Sequence, residues 1–308
     1  PPRSTLFPYT TLFRSLGRPF PADRLTSCER SIRRTAEHGG TFIRLRADSW
    51  WNAIEMTADA ASGSLGIGWF QPQTCWEIDQ LYDLCTERGM GVMHCLWNAN
   101  AVCNPIGPDR DWRRPYNPYL QENGGPCADV GDFWTDPEAL ALQRRLIRYS
   151  VARWGYSRSV MSWEFFNEVS MRPETVDQVV AWHRQMGRFL QELDPWKRPI
   201  TTSLMGNHDL HRRIWDLPEI AIAQVHVYRR PDIADAMSEL VAAEGEPLGK
   251  PYYFGEFGIG PLETGEGTYD FDPDCVHVHN GLWASVLSGS CGAAAFWYID
   301  SYLDRHGW

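Results

Sequence analysis

The chain has 308 residues, of which 43% are hydrophobic and 22% are charged, and these values are ordinary for a globular protein with a large core. Its net charge of −10 argues against a nucleic-acid or anionic-membrane partner, and no apolar run approaches the length of a membrane span. Tryptophan is the outlier, at 15 residues. Because flat apolar ligand faces stack on indole rings, this excess is informative, although we expect half or more of the indoles to fill the core.

The first residues do not resemble a natural protein segment. Thr5–Ser15 corresponds to one reading frame of a common sequencing-adapter oligonucleotide, which indicates an environmental gene assembly with adapter sequence fused at its start. We therefore treat residues 1–15 as a non-native segment and residues 16–308 as a single domain. We expect the adapter segment to add little to the core, and a native first strand and any signal peptide to have been lost there.

From Pro21 onward, predicted helices and strands alternate along the chain. The predicted helices are Pro21–His38, Pro72–Arg88, Pro137–Trp154, Thr175–Leu193, Leu210–Trp215, Ile233–Ala243 and His279–Ser288. The predicted strands are Thr41–Arg46, Met90–Trp97, Val160–Asn167, Pro199–Leu204, Ile220–Tyr228, Tyr252–Glu256 and Ala293–Tyr298. This alternation predicts an α/β fold with a parallel sheet, and the length suits one (β/α)8 TIM barrel that lacks its native first strand and last helix.

Two predicted strands end in a glutamate after an apolar, aromatic run. They are Trp163-Glu-Phe-Phe-Asn-Glu168 and Tyr252-Tyr-Phe-Gly-Glu256. The chain between them can form three strand–helix units, which would bring both strand ends to one rim of a barrel. A charge in an apolar strand is costly unless it is used, and cleavage of a glycosidic bond needs two facing carboxyl groups. Glu168 and Glu256 are therefore candidate catalytic residues.

An ordered set of motifs, from Asn167-Glu168 through His226-x-Tyr228 and Gly255-Glu256 to Trp297, resembles the retaining β-glycosidases of clan A. The resemblance is greatest to glycoside hydrolase family 5, the cellulase and mannanase family. The stretches Asn117–Gly125 and Ala152–Ser157 resemble a cellulase-like bacterial subgroup. The resemblance runs from about Arg24 to Tyr298.

The resemblance implies a role for each matching residue. Glu168 would be the general acid/base and Glu256 the nucleophile, with their carboxyl groups about 5 Å apart as in retaining enzymes. The substrate-binding residues would be Arg44, Asn167, His226, Tyr228, Trp297, Trp97 and Asn98. Arg44 and Tyr228 would support the nucleophile, with Arg46 competing for the arginine role. Trp97 or Asn98 would stand where the family often has a histidine, because His94 comes too early in its strand.

The sequence leaves several alternatives open for the activity. The first hypothesis is endo-action on a β-1,4-glucan or β-mannan, and its partner is then a poly- or oligosaccharide. An exo-acting β-glycosidase, a non-catalytic glycan-binding barrel and an incomplete fragment are the alternatives. The resemblance implies no cofactor, and a secreted or periplasmic location, with the cytoplasm as the alternative.

Two short patterns resemble metal ligands. Asp270-x-Asp272-x-Asp274 lacks the glycine and closing glutamate of a calcium loop, and Cys275-x-His277-x-His279 lies where a helix should begin. We therefore predict no metal site. Cys103 and Cys127 flank one long loop and could pair in an exported protein, whereas free buried thiols are the alternative for the eight cysteines.

Overall fold

The structure is a computed structural model that describes residues 24–47, 53–58, 64–104, 114–206, 208–259 and 272–293. The adapter segment, the expected site of a first strand and Trp297 lie outside these residues. None of the helices in the described part of the chain combines the length and the apolar character of a membrane span.

Helices and strands alternate as the sequence predicts. The helices are α1 Arg24–Glu37, α2 Pro72–Arg88, α3 Ala99–Val102, α4 Pro137–Trp154, α5 Val176–Leu193, α6 His208–Trp215, α7 Ile233–Leu240, α8 Glu246–Leu248 and α9 Val276–Leu287. The strands are β1 Phe42–Arg46, β2 Gly91–Asn98, β3 Val160–Asn167, β4 Val169–Met171, β5 Ile200–Thr201, β6 Ser203–Gly206, β7 Ala223–Tyr228 and β8 Tyr252–Gly258.

Several elements differ from the predictions, including β4 and α8, which were not predicted. The strand predicted over Pro199–Leu204 is two short strands, β5 and β6, with a break at Thr202. The predicted loop after β2 begins with the short helix α3 and contains two 3-10 turns at Gln121–Asn123 and Val130–Trp134. Helix α9 begins three residues before the predicted His279, because Asp272 accepts hydrogen bonds from the backbone N–H groups of Val276 and His277.

Aspartate caps set the starts of several helices. Asp136 accepts from the N–H groups of Glu138 and Ala139, and Pro137 occupies the first turn of α4, where a missing N–H costs nothing. At the start of α7, the Asp232 side chain likewise accepts hydrogen bonds from the N–H groups of Ala234 and Asp235. These caps satisfy N–H groups that have no partner within the helix.

The chain forms two compact units, each assembled from separate stretches of sequence. Unit 1 comprises residues 1–45, 81–93 and 222–308 as far as they are described, and unit 2 comprises residues 46–80 and 94–221. Whether they make a single domain stays a prediction.

Unit 1 contains the parallel pair β7 and β8, and the start of β2 lies beside β1, where the Gly91 N–H donates to the Thr41 carbonyl at 2.7 Å. The hydroxyl oxygen of Ser238 in α7 lies 3.0 Å from that of Ser288, the residue that follows α9. All seven residues of β8 are buried, which is typical of a parallel strand covered on both faces.

Unit 2 contains two parallel pairs, β3 with β5 and β4 with β6. Its core is rich in aromatic rings. Trp97 stacks on Phe166 at a centroid distance of 5.4 Å, and Phe133, Trp134 and Trp182 surround them. Parallel strands with intervening helices in both units confirm the α/β class.

Candidate active site

The carboxylate of Glu256 is the centre of a buried polar group in unit 1. The Arg44 guanidinium donates to Oε1 at 2.6 Å, and the Tyr228 hydroxyl donates to Oε2 at 2.6 Å. His226 Nδ1 lies 3.6 Å from Oε2. Arg44 and Glu256 are both fully buried, so their attraction is little screened by water. The two donors hold one carboxylate oxygen each and so orient the group.

A β-bulge turns Glu256 toward these partners. Val225 pairs with Phe254, but His226 pairs with Glu256, so Gly255 is an extra residue in β8. Paired residues in a parallel sheet point to the same side, and successive residues alternate. Glu256 therefore points to the face of His226 and Tyr228, opposite to the face of Val225 and Phe254.

Gly255 is required by its surroundings. A Cβ atom at this position would lie 2.4 Å from Nε2 of the buried Gln224, closer than real contacts permit. Any side chain here would push against Gln224 or against the bulge. The Gly255-Glu256 motif thus combines a packing requirement with the orientation of the carboxylate.

The contact with Glu256 that the resemblance implies for Arg44 is present, and Arg46 is buried as well. The roles of these residues toward a substrate stay predictions.

Glu168, in unit 2, has an unusual backbone. Its φ is 62°, in the left-handed region that non-glycine residues rarely adopt, at the point where β3 ends and β4 begins. Such a conformation costs on the order of 1–3 kcal/mol and persists only where the surroundings enforce it. Residues with such strained backbones cluster at functional sites.

Side chains satisfy both backbone groups of Glu168. Its N–H donates to Ser203 Oγ at 2.9 Å, and its carbonyl accepts from Asn104 Nδ2 at 2.7 Å. The carboxylate is half-buried and accepts a longer bond, of 3.4 Å, from Asn100 Nδ2. The sequence did not indicate Asn100, Asn104 and Ser203, since it predicted the end of the strand at Asn167 but not the second strand, β4, directly after Glu168.

The sheet register explains the break. Glu164 pairs with Thr201, an offset of 37 residues, whereas Val169 pairs with Leu204, an offset of 35. The chain from Glu164 to Val169 is therefore two residues longer than the chain from Thr201 to Leu204 that pairs with it. Its backbone cannot keep regular hydrogen bonds with the neighbouring strand over this stretch. Backbone groups that leave a ladder in a buried place need other partners, and here side chains supply them.

The remaining predicted residues have the following positions. Asn167 is buried at the end of β3, next to Glu168, and Glu164 is fully buried on the same strand. Trp97, at 3% exposure, packs within the aromatic core of unit 2, which favours a packing role over a sugar contact. Asn98 caps α3, since its Oδ1 accepts from the Asn100 N–H.

His94 is also a core residue. Its ring packs against Trp154 and Trp163, and burial lowers its pKa to about 3, so it is neutral at ordinary pH. This agrees with the expectation that His94 does not replace the family's histidine.

The two metal-like patterns serve other roles where they are described. Asp272 caps α9, and Cys275 precedes the helix in a left-handed conformation. His277 is buried, whereas His279 is exposed, so the alternating residues do not converge as they would on a strand. Asp270 lies outside the described residues. All eight cysteines are free thiols in the structure, including Cys103 and Cys127.

No family model matches the sequence, and a search of curated proteins finds no match. Solved structures do match. An endo-β-1,4-mannanase from Thermotoga petrophila is similar over 95% of this chain and 67% of its own, with a TM-score of 0.66 and 13% identity. A glycoside hydrolase family 5 mannosidase from Rhizomucor miehei is similar over 87% of this chain and 74% of its own, with a TM-score of 0.61 and 18% identity. An endo-1,4-β-mannanase from Eisenia fetida is similar over 96% and 85%, with a TM-score of 0.60 and 15% identity.

At these identities the likeness concerns the fold. It confirms the predicted fold class, an α/β chain of the (β/α)8 barrel type. In such barrels functional side chains come from the carboxyl ends of the strands; here Glu168 directly follows β3, and Glu256 lies two residues before the last residue of β8.

Proposed function

We propose that this protein is a retaining glycoside hydrolase that cleaves β-linked glycans of the β-1,4-mannan or β-1,4-glucan type. The observation that carries the proposal is the Glu256 carboxylate, buried at a strand end and held by Arg44 and Tyr228. Isolated buried carboxylates are costly, and this one has a donor at each oxygen that fixes its orientation, as a nucleophile requires. The fold shared with mannanases supports the same conclusion.

In the first step, Glu256 would attack the anomeric carbon and form a glycosyl–enzyme ester, while the bond from that carbon to the leaving oxygen breaks. Glu168 would donate its proton to that oxygen. The Arg44 charge would stabilise Glu256 as the attacking carboxylate and again as the leaving carboxylate in the second step.

In the second step, Glu168 would take a proton from water, and the resulting hydroxide would attack the anomeric carbon and release Glu256. The two displacements together retain the configuration of the sugar. This mechanism requires the carboxyl groups about 5 Å apart, because no water needs to fit between the sugar and the nucleophile. Asn167 would hydrogen-bond the 2-hydroxyl, and His226 and Trp297 would contact the sugar.

Mannan is the first substrate to test, because the solved structures named above are a mannosidase and two mannanases. An exo-acting β-mannosidase is the second candidate, since an exo-β-1,4-mannosidase from an Opitutaceae bacterium is also similar over 94% of this chain and 51% of its own, with a TM-score of 0.62 and 14% identity.

The test is hydrolysis of a panel of β-mannans, β-1,4-glucans and aryl β-glycosides, with the anomer of the first product read by NMR before mutarotation. We expect turnover of at least one β-glycan and initial release of the β-anomer. A fall in polymer viscosity would indicate endo-action, and release of monosaccharide alone would indicate exo-action. Initial release of the α-anomer would contradict the mechanism, and binding without cleavage by the full-length gene product would favour a non-catalytic barrel.

A further inference from the structure

The backbone of Glu168 is held by side chains on both sides. Ser203 Oγ accepts from the Glu168 N–H and donates to the Phe166 carbonyl at 3.2 Å. One hydroxyl therefore links the Phe166 carbonyl, near the end of β3, to the N–H of Glu168, the residue that follows β3. Ser203 is fully buried, so water does not compete for these bonds.

Asn104 holds the other side. Its Nδ2 donates to the Glu168 carbonyl at 2.7 Å, and its Oδ1 accepts from the Ser170 N–H at 2.8 Å. A carbonyl can only accept and a backbone N–H can only donate, so the amide has one possible orientation. Asn104 is 4% exposed, and the two bonds fix the start of β4 relative to Glu168.

Asn104 also orients the group that contacts the carboxylate. Its Nδ2 donates to Asn100 Oδ1 at 3.1 Å, which turns the Nδ2 group of Asn100 toward Glu168 Oε2. The bonds run from Asn104 to Asn100 and from Asn100 to the carboxylate. Loss of Asn104 would therefore remove a bond to the Glu168 carbonyl and the bond that orients Asn100 toward the carboxylate.

We propose that Asn104 and Ser203 are positioning residues that hold Glu168 in its left-handed conformation and so aim its carboxyl group for proton transfer. The inference rests on the proposed function, in which Glu168 is the acid/base. If φ relaxed to a right-handed or extended value, the Cα–Cβ bond would point elsewhere, although the strand could remain in place. The proton transfer would suffer, whereas the Glu256 attack would not.

This difference gives the experiment its readout. Phenyl β-glycosides have a poor leaving group and need a proton, whereas 2,4-dinitrophenyl β-glycosides do not. We would measure kcat/KM for both substrates, as mannobiosides or as cellobiosides if glucan is preferred, with Asn104→Ala, Ser203→Ala and Glu168→Ala. Misplacement of a catalytic group by about 1 Å can cost about 10²-fold.

The chain offers matched controls for both variants. Asn117 is fully buried in the same loop region, donates to the Val102 carbonyl and accepts from the Tyr119 N–H, so it links two backbone groups without touching Glu168. Ser162 is a buried serine on β3, and its hydroxyl has no hydrogen-bond partner among the described residues. Asn117→Ala and Ser162→Ala would report the cost of removing a buried polar side chain in unit 2. Thermal unfolding of all variants shows which remain folded.

We expect Asn104→Ala and Ser203→Ala to lower kcat/KM for the phenyl glycoside by roughly 10- to 100-fold and for the dinitrophenyl glycoside by less than about threefold. The control variants should lower kcat/KM only slightly, and by the same factor for both substrates. Suppose that Glu168→Ala loses activity on the phenyl glycoside and keeps it on the dinitrophenyl glycoside, as an acid/base variant should. The inference is then overturned if Asn104→Ala and Ser203→Ala lower kcat/KM equally for both substrates, or by no more than the control variants do. If Glu168→Ala itself does not distinguish the substrates, the proposed function fails and the inference falls with it.

Discussion

Glu256 lies near the carboxyl end of β8 and Glu168 directly follows β3, but the chain holds them by different atoms. Glu256 is held by its carboxylate, which a guanidinium and a phenol hydroxyl bind in a fully buried place. The neutral side chains of Ser203 and Asn104 hold the backbone of Glu168, and its half-buried carboxylate accepts a long bond from the Asn100 amide.

The difference fits the two roles that we propose. A nucleophile stays ionised throughout and must not drift, so strong charged partners suit it. An acid/base group alternates between two protonation states, and contacts from neutral side chains to the backbone of Glu168 fix its direction without adding a charge.

The largest expected effect separates the two glutamates directly. Glu256→Ala should lower turnover by at least about 10⁴-fold on every substrate, because no carboxylate remains to form the ester. Glu168→Ala should keep the first step on activated aryl glycosides and then stall at the ester, because no base activates water.

Added azide should restore Glu168→Ala and give a β-glycosyl azide, and with Glu256→Ala it should give the α-product. Product configuration is read by NMR. Ordinary activity of Glu168→Ala on polysaccharide would reverse the assignment and make Glu164 the next candidate for the acid/base.

The next effect tests the charge that holds Glu256. Arg44→Met should lower the free energy of unfolding by about 3–5 kcal/mol, because it leaves a buried carboxylate without its cation. Arg230→Met is the control, since Arg230 and Glu239 form an exposed pair of similar length, at 2.7 Å, and exposed pairs contribute about 0–1 kcal/mol. Urea denaturation measures both, and equal changes would mean that burial of the Arg44 pair does not matter.

A smaller effect concerns the second donor to Glu256. Tyr228→Phe should lower kcat/KM by roughly 10-fold, since a hydrogen bond to a charged group contributes about 1.5–3 kcal/mol. The loss should be similar for phenyl and dinitrophenyl glycosides, unlike that of Asn104→Ala. Tyr252→Phe is the control, because the Tyr252 hydroxyl donates to Glu244 at the same 2.6 Å. If Tyr228→Phe lowered kcat/KM for the phenyl glycoside alone, Tyr228 would act on proton transfer, and the distinction between the residues around Glu256 and those around Glu168 would fail.

The smallest effect uses a third carboxyl group, Glu55, whose Oε1 accepts from the Gly68 N–H at 2.7 Å. Burial raises the pKa of Glu55 from 4.5 to about 7, against the opposing effects of that bond, Arg145 and Tyr119. The folded state therefore binds the proton more tightly than the unfolded state does.

The contribution of Glu55 to stability is full below pH 4.5 and is lost as the pH rises to about 7. Glutamine does not ionise, so Glu55→Gln should not lose this stability. The difference in unfolding free energy between the wild type and the variant should therefore change by on the order of 1–3 kcal/mol between pH 4.5 and about 7. Urea denaturation at a series of pH values measures it, and a difference that does not vary with pH would contradict the raised pKa.

The sequence by itself determined the order of helices and strands, because apolar periodicity and aspartate or glycine boundaries are local features. It also indicated Glu168 and Glu256, since a carboxylate ending an apolar strand is visible in one dimension. Arg44 and Tyr228 followed from the resemblance to a family, and both contact Glu256 in the structure.

Tertiary structure alone decided how the two glutamates are held. By simple alternation, Glu256 would share a face with Phe254, and only the bulge at Gly255 turns it to the face of Tyr228. Likewise, the offset between β3–β4 and β5–β6 breaks the strand at Glu168 and brings Ser203 to its backbone. Register depends on how neighbouring strands fit together, and a chain's own pattern of apolar residues does not encode that fit.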